Sequence, residues 1–357
     1  MALKYPNKIK RHGYWKRYER AGSKDFLLIW NTILSIINPK DIPFRFAERG
    51  RKPTLAREEC VAMAVMYASF PSLGFRSIEF LIAVLTGKHL DHSNCVRWFG
   101  RLTPSYGDVL VFQVHQRILE VSDEGDYITD SSEVLCDRLK QVEKDGNTIL
   151  EHQTWKLHLC SMYLKKIGLM SILSIFPTPS RVHEGPVFRN HLLKKERVIP
   201  GRRCHGDKAF FGKENIRKCK EIGLKPNLVP KDMKYSDGYL KRYVRRDYDN
   251  QSRKKNRGLV EGIFGGMETS GSMRMRCRTP HHRDVYVSLL GLAHNIRAYL
   301  RAVALRLLLI FAPTPPCPKG LKTYWRIPNL KGVQNGTALA HKLALDFFQH
   351  RIAEWNC

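Results

Sequence analysis

A chain of 357 residues exceeds one average domain, and 43% hydrophobic residues are enough for a sizeable core. Lys and Arg number 61 against 33 Asp and Glu, a formal net charge of +28, which points to a polyanionic partner: DNA, RNA or an anionic membrane surface. Nine cysteines, an odd number with no CxxC pair, argue against a disulfide framework or a structural zinc site and fit a reducing cytosol.

Met1 to Lys10 is basic with no apolar run behind it, so no secretory signal is expected. Residues 1–122 read as mostly helical. Arg57–Phe70 carries a helix-period apolar pattern broken at Pro71, Arg76–Leu85 gives a second helix and Ser93–Leu102 a third. Three short helices with polar turns resemble a helix-turn-helix module, and the same pattern describes small bundles with no DNA role. Basic clusters at Lys8–Arg20, Lys194–Arg203, Lys241–Arg246, Arg253–Arg257 and Arg274–Arg283 spread the charge along the chain. Such a distribution suits a protein that tracks phosphate backbone, with strongly salt-dependent binding.

The period changes at Asp126. Tyr127–Asp130 predicts a short strand ending in a carboxylate; His152–Leu164 and Leu169–Phe176 predict two more. Gly185–Arg197 reads as helical, Arg203–Asp207 as a fourth strand ending in Asp, Lys213–Ile222 as a helix and Leu224–Val229 as a fifth strand. That order is mixed α/β. The basic, tyrosine-rich Lys231–Lys255 reads as a mobile loop, after which Asn256–Thr269 opens a helix with Glu261 in its first turns. The apolar stretch Val285–Ala312 contains Arg297, Arg301 and Arg306, which favour a buried core helix over a membrane span. Ala312–Asn335 reads as a linker and Ala338–Trp355 as a final amphipathic helix.

Three carboxylates stand at informative places: Asp130, Asp207 and Glu261. Residues at the strand ends of an open α/β sheet project into the crevice where ligands bind, and a neighbouring helix can add a third carboxylate. Hard oxygen donors suit Mg²⁺ or Mn²⁺. Two such ions about 3.5–4 Å apart serve phosphoryl transfer. Alone, an Asp after a strand is more often a turn former or helix cap than a metal ligand, and a Glu in the first helical turns often only favours the helix dipole, so their flanks decide.

Asp130-Ser131-Ser132 resembles the Asp-Ser-Thr start of the catalytic domain of insertion-sequence DDE transposases, and Trp155-Lys156-Leu157-His158 resembles the Trp-x-Lys-Leu-His strand that follows it. His183-Glu184 is similar to a His-Asp pair after the third strand, and Gly206-Asp207-Lys208-Ala209-Phe210 to a Gly-Asp-Lys-Ala-Tyr block. Arg257 through Glu261 to Phe264-Gly265 resembles an Arg-x-x-x-Glu-x-x-Phe-Gly helix, and Asn295 falls in a segment like the family's last helix. Order and spacing agree over roughly residues 126–300; Gly50–Leu102 is only loosely similar to the family's N-terminal region.

The resemblance implies an RNase H-like mixed sheet flanked by helices, with an N-terminal helical domain. The expected division is a helical, DNA-binding region at 1–122, the catalytic domain at 123–311, and a linker with a C-terminal helix at 312–357. It further implies Asp130, Asp207 and Glu261 as both catalytic and metal-binding residues. Arg257, Lys208 and Lys254 are then candidate DNA contacts, with Mg²⁺ or Mn²⁺, two ions, as cofactor. Double-stranded DNA (element ends and target) would be the substrate, bound by a homodimer in the cytoplasm at the nucleoid, with no membrane partner. Relatives often carry Tyr three residues before the Arg and Lys seven after the Glu; here those positions are Lys254 and Glu268. Two other readings stay open: a DNA-binding derivative without activity, and a nuclease or resolvase of the same fold.

Overall fold

The computed structural model describes residues 26–46, 53–70, 73–122, 124–144, 147–165, 168–231 and 237–311. The expected linker and last helix at 312–357 lie outside the described residues, as does the basic stretch at 8–20.

Five helices precede the first strand: α1 (26–36), α2 (Arg57–Ser69), α3 (Phe75–Thr86), α4 (His92–Phe99) and α5 (Pro104–Leu119). In α2 every residue from Cys60 to Ser69 is buried, which an amphipathic surface helix would not permit. Helix α5 starts at Pro104, whose missing N–H costs nothing at a first helical position, and the Thr103 hydroxyl accepts the Tyr106 N–H at 3.2 Å.

The sheet then builds in the order β3-β2-β1-β4-β5, with β6 against β1. Strands β1 (Tyr127–Lys144), β2 (Asn147–Leu164) and β3 (Leu169–Pro179) are antiparallel neighbours; β4 (Arg203–Gly206) joins β1 in parallel and β5 (Lys225–Leu228) joins β4 in parallel. Strand β6 is the short Arg274–Met275. Three antiparallel strands followed by two parallel ones is the expected RNase H-like mixed sheet. Between β3 and β4 the chain forms α6 (Glu184–Val187), a π turn (Phe188–Leu192) and a 3-10 turn (Lys195–Arg197). One regular helix was expected there. Val187, Phe188, Leu192 and Leu193 are all buried, and the wider turn puts both apolar pairs on the core side.

After β4, α7 (Lys213–Glu221) leads to β5, and α8 (Gly238–Arg246), α9 (Asn250–Thr269) and α10 (Pro280–Phe311) complete the described chain. Helix α8 occupies part of the segment expected to be a mobile loop. Tyr239, Leu240, Tyr243 and Val244 recur at helical spacing among the charges; Asp237 caps the helix, accepting the Tyr239 N–H at 2.7 Å.

Both sheet edges are closed by side chains. An edge strand presents unpaired N–H and C=O groups. On β3 the Asn295 amide of α10 accepts the Ile172 N–H at 2.8 Å and donates to the Ile172 carbonyl at 2.7 Å and to Val111 of α5 at 3.0 Å. Asp108 of α5 accepts the Ile175 N–H at 3.0 Å and is itself paired with Lys194 and Arg197 at 2.6 and 2.9 Å. On β5 the buried Tyr243 hydroxyl accepts the Leu228 N–H at 2.6 Å and donates to its carbonyl at 2.8 Å. One hydrophobic cluster contains residues from α1–α5, the sheet and α10, so the described helices before Ser122 share their core with the sheet. Among the described residues no helix is long and apolar enough to cross a membrane.

Candidate active site

Asp130 stands where β1 loses its parallel neighbour. Tyr127–Thr129 pair with Cys204–Gly206 of β4, β4 stops at Gly206, and β1 regains a parallel partner only at Leu135–Cys136, against β6. Because Thr129 pairs with Gly206, the next residues on the two strands, Asp130 and Asp207, leave the pairing at the same level. Asp130 was expected to end its strand. It lies inside the long β1 instead, and what ends there is the pairing with β4. The crevice at the carboxyl end of parallel strands arises all the same. Gly206 packs closely there: a Cβ on it would come within 2.8 Å of Leu228 Cδ2 and 3.3 Å of Phe210, so a larger residue would require Leu228 to shift.

Helix α9 carries Glu261. Asp249 caps it, accepting the Ser252 N–H at 3.0 Å, and the helix begins six residues earlier than expected, so Glu261 lies in its middle. Its start is tied to the sheet: the Asn227 amide of β5 accepts the Asp249 N–H at 2.8 Å and donates to the Asp249 carbonyl at 3.0 Å. Asn227 also donates to His205 Nδ1 of β4 at 2.9 Å. Neither His205 nor Asn227 stood out in the sequence, since their roles depend on strand pairing. On α9 the positions Lys254, Arg257 and Glu261 are spaced three and four apart, on one helix face. Lys254 and Glu261 are exposed; the Arg257 side chain lies outside the described residues. Lys208 is exposed beside Asp207, in the turn Lys208–Phe210.

Electrostatics link these positions. Burial pushes the Asp130 carboxyl up to about 6, and the negative charges of Asp207, Glu184 and Glu261 push in the same direction, against a hydrogen bond from the Ser131 N–H at 2.8 Å. Three carboxylates far apart in sequence are therefore close enough to be felt at Asp130. Glu184, first residue of α6, was noted in the sequence only as half of a His-acid pair. Its Oε1 accepts the Ser131 hydroxyl at 2.7 Å and the Lys156 ammonium at 3.2 Å. His158 is a packing residue: it is buried, its Nε2 lies 2.8 Å from Thr178 Oγ1, and burial with the charge of Lys156 pulls its pKa down to about 4. His183 immediately precedes α6.

Asp130, Asp207 and Glu261 fit a hard divalent cation by donor chemistry, because they offer only oxygen and their mutual repulsion is relieved by positive charge. They are not drawn into one ligand shell. Among the described residues the set whose ligand atoms lie within 4.8 Å of one another is Glu79, Asp91 and His92, at the α3–α4 turn. Local pairing accounts for that set: Glu79 accepts the His92 N–H at 3.0 Å and Asp91 caps α4 through the Ser93 N–H at 2.8 Å.

The comparison with curated proteins found no match. Residues 125–296 match the family model described as the transposase DDE domain, a span that begins just before β1 and ends within α10. Sheet order, the register that sets Asp130 beside Asp207, and this match agree: residues 125–296 of the chain are similar to the transposase DDE domain family.

Proposed function

We propose that the protein is an active transposase that cuts DNA at the ends of an insertion sequence and joins the freed 3′ ends to a target. The observation that carries the reading is the convergence on Asp130 of the charges of Asp207 and Glu261, from β4's end and from α9. In this reading Asp130, Asp207 and Glu261 hold the metal. Bound there, Mg²⁺ or Mn²⁺, as two ions, supplies the Lewis acidity that activates an attacking oxygen and stabilises a leaving one.

The chain's own residues grip and orient the DNA. Lys208 beside Asp207, and Lys254 and Arg257 two turns and one turn before Glu261, would pair with phosphates around the scissile bond. In the first step water displaces the flanking strand at phosphorus and leaves a 3′-hydroxyl. In the second that hydroxyl displaces the target strand, so one phosphodiester forms for each one broken. No covalent protein–DNA bond is required. The +28 net charge suits two DNA duplexes held at once, the helical region before Ser122 would contribute to recognising element ends, and a homodimer would synapse two ends. Such a protein would work on the nucleoid in the cytoplasm.

The test is a reaction of the full chain with its element's terminal repeats, a target plasmid and Mg²⁺ or Mn²⁺. Joined products are expected. Cleavage without joining would mean a nuclease, and binding alone a derivative without activity. Asp207→Asn is expected to abolish both steps and retain DNA binding; unchanged joining by this variant would overturn the triad assignment.

A further inference from the structure

We infer that Arg274, Arg276 and Arg278 form a row that holds the phosphodiester backbone of DNA, with Asp137 competing for two of the three. The inference rests on the reading of DNA as the substrate and adds to it a binding element apart from the carboxylates.

From Met273 to Arg278 the chain alternates. Met273, Met275 and Cys277 are buried, and Arg274, Arg276 and Arg278 are exposed. A period of two marks extended chain with one face on the core, so the three arginines share the outer face at intervals of about 6.6 Å, two residues of strand. That interval is on the scale of successive phosphates along a nucleic-acid strand.

The backbone beneath them is fastened at both ends. The Leu135 N–H of β1 donates to the Met273 carbonyl at 2.9 Å, and the Tyr286 hydroxyl of α10 to the Ser272 carbonyl at 3.2 Å. The buried Arg283 of α10 donates to the carbonyls of Cys277 and Arg278, at 3.2 Å each. Arg283 in turn lies over the Trp155 ring of β2, whose N–H donates to Asp284 at 2.6 Å. The row is set in place before a ligand arrives, which lowers the ordering cost of binding.

Asp137 on β1 accepts Arg274 Nε at 2.6 Å and pairs with Arg276 Nε at 3.5 Å, so one carboxylate is shared between two guanidiniums and the row keeps a positive excess. Both arginine side chains remain more than half exposed. Charges on a short edge strand also discourage pairing with another chain, but either sign serves that purpose. Here all three are Arg, whose planar fork matches phosphate bidentately. Strand β6 joins β1 at Leu135–Cys136, about 16 Å of strand beyond Asp130, so a duplex bound at Asp130 has the row within its length.

The experiment is binding of a labelled duplex of arbitrary sequence to the full chain without divalent ions, by fluorescence anisotropy over about 0.05–0.2 M salt. Replacing all three residues (Arg274→Gln, Arg276→Gln, Arg278→Gln) is expected to lower the slope of log affinity against log salt by about 2.7, about 0.9 per phosphate. The deficit of the variant should then be about 40-fold larger at the low-salt end than at the high-salt end. The same number of charges removed from α8 (Lys241→Gln, Arg245→Gln, Arg246→Gln) should change the slope less. Asp137→Asn frees both guanidiniums and is expected to raise affinity several-fold, a gain that a merely structural pair would not give. An unchanged slope in the triple variant, or an equal loss in the α8 variant, would overturn the row. No gain in Asp137→Asn would overturn the part given to Asp137. A wild-type chain that binds no duplex at low salt would overturn the reading of DNA as the substrate instead.

Discussion

Asp130 is carried at a cost. Its carboxyl is raised to about 6 by burial and by three neighbouring acids, whereas an unfolded Asp titrates near 3.8. A folded pKa above the unfolded one means that the ionised form is penalised in the fold, and that the penalty fades as pH falls through 6. At neutral pH it is of the order of 3 kcal/mol, from about 1.4 kcal/mol per pKa unit. Asp130→Asn keeps an oxygen for the Ser131 N–H and removes the charge. The variant is therefore expected to melt several degrees above wild type in the presence of a chelator. Mn²⁺ should raise the melting temperature of wild type and leave that of the variant nearly unchanged, because binding to the folded state alone stabilises it. A variant that melts below wild type in chelator would contradict the charge-repulsion account. Asp130 and Asp207 were legible in the sequence because each sits in a block of recognisable neighbours. Glu184 was visible as a residue but not as a partner, since the Ser131 hydroxyl reaches it across 53 positions of chain.

Side chains that close the sheet explain what could and could not be read at the scale of elements. The strand order from Tyr127 to Val229 followed from periodicity and from the Gly and Pro residues between segments, although β1 and β2 run to 18 residues each and the helix expected between β3 and β4 is broken into turns. Helix α8 did not, because its apolar face is carried by tyrosines among lysines and arginines, and only Tyr243 reaching Leu228 shows why that face is buried. The start of α9 was misplaced for a related reason: Asp249 is a cap, yet what holds it is Asn227 on β5, a residue that reads as an ordinary strand position. Asn295 is the clearest case. It was noted as part of a family-like final helix, and it serves here to pair both backbone groups of Ile172 on the outer edge of β3. Asn295→Leu fills the space but leaves a buried N–H and two carbonyls without this partner. Each such loss costs about 1–3 kcal/mol, so the variant is expected to lose roughly 3 kcal/mol in total. Urea unfolding would read this as a lower midpoint at unchanged slope. A midpoint within error of wild type would mean that the β3 edge is satisfied in another way.

Across the whole molecule, the core that unites the early helices with the sheet also sets how the protein meets acid. His115 on α5, His158 on β2 and His294 on α10 are all pulled down to about 4, in each case first by burial. His115 lies 2.8 Å from Ser171 and His294 Nε2 is 3.1 Å from the Met170 carbonyl, so both sit between a helix and the start of β3. Unfolded, each would titrate near 6.5, so between about 6 and 4 the unfolded chain holds three protons that the folded chain refuses. Asp130 works the other way, since its folded form takes up a proton near 6 that the unfolded chain does not bind until about 3.8. For these four groups three minus one leaves a difference of two protons, worth about 2.7 kcal/mol per pH unit as pH drops through that window. The lowered His191 and His282 steepen the fall while the raised Asp284 opposes it. Removing the opposing group tests the balance. In Asp130→Asn one opposing proton is lost, and the slope should steepen by about 1.4 kcal/mol per pH unit. Urea unfolding from pH 7 to 4.5 in chelator, for both proteins, measures the two slopes. Equal slopes would show that Asp130 does not take up its proton in this range, and a flat wild-type profile would show that the three histidines are not held neutral.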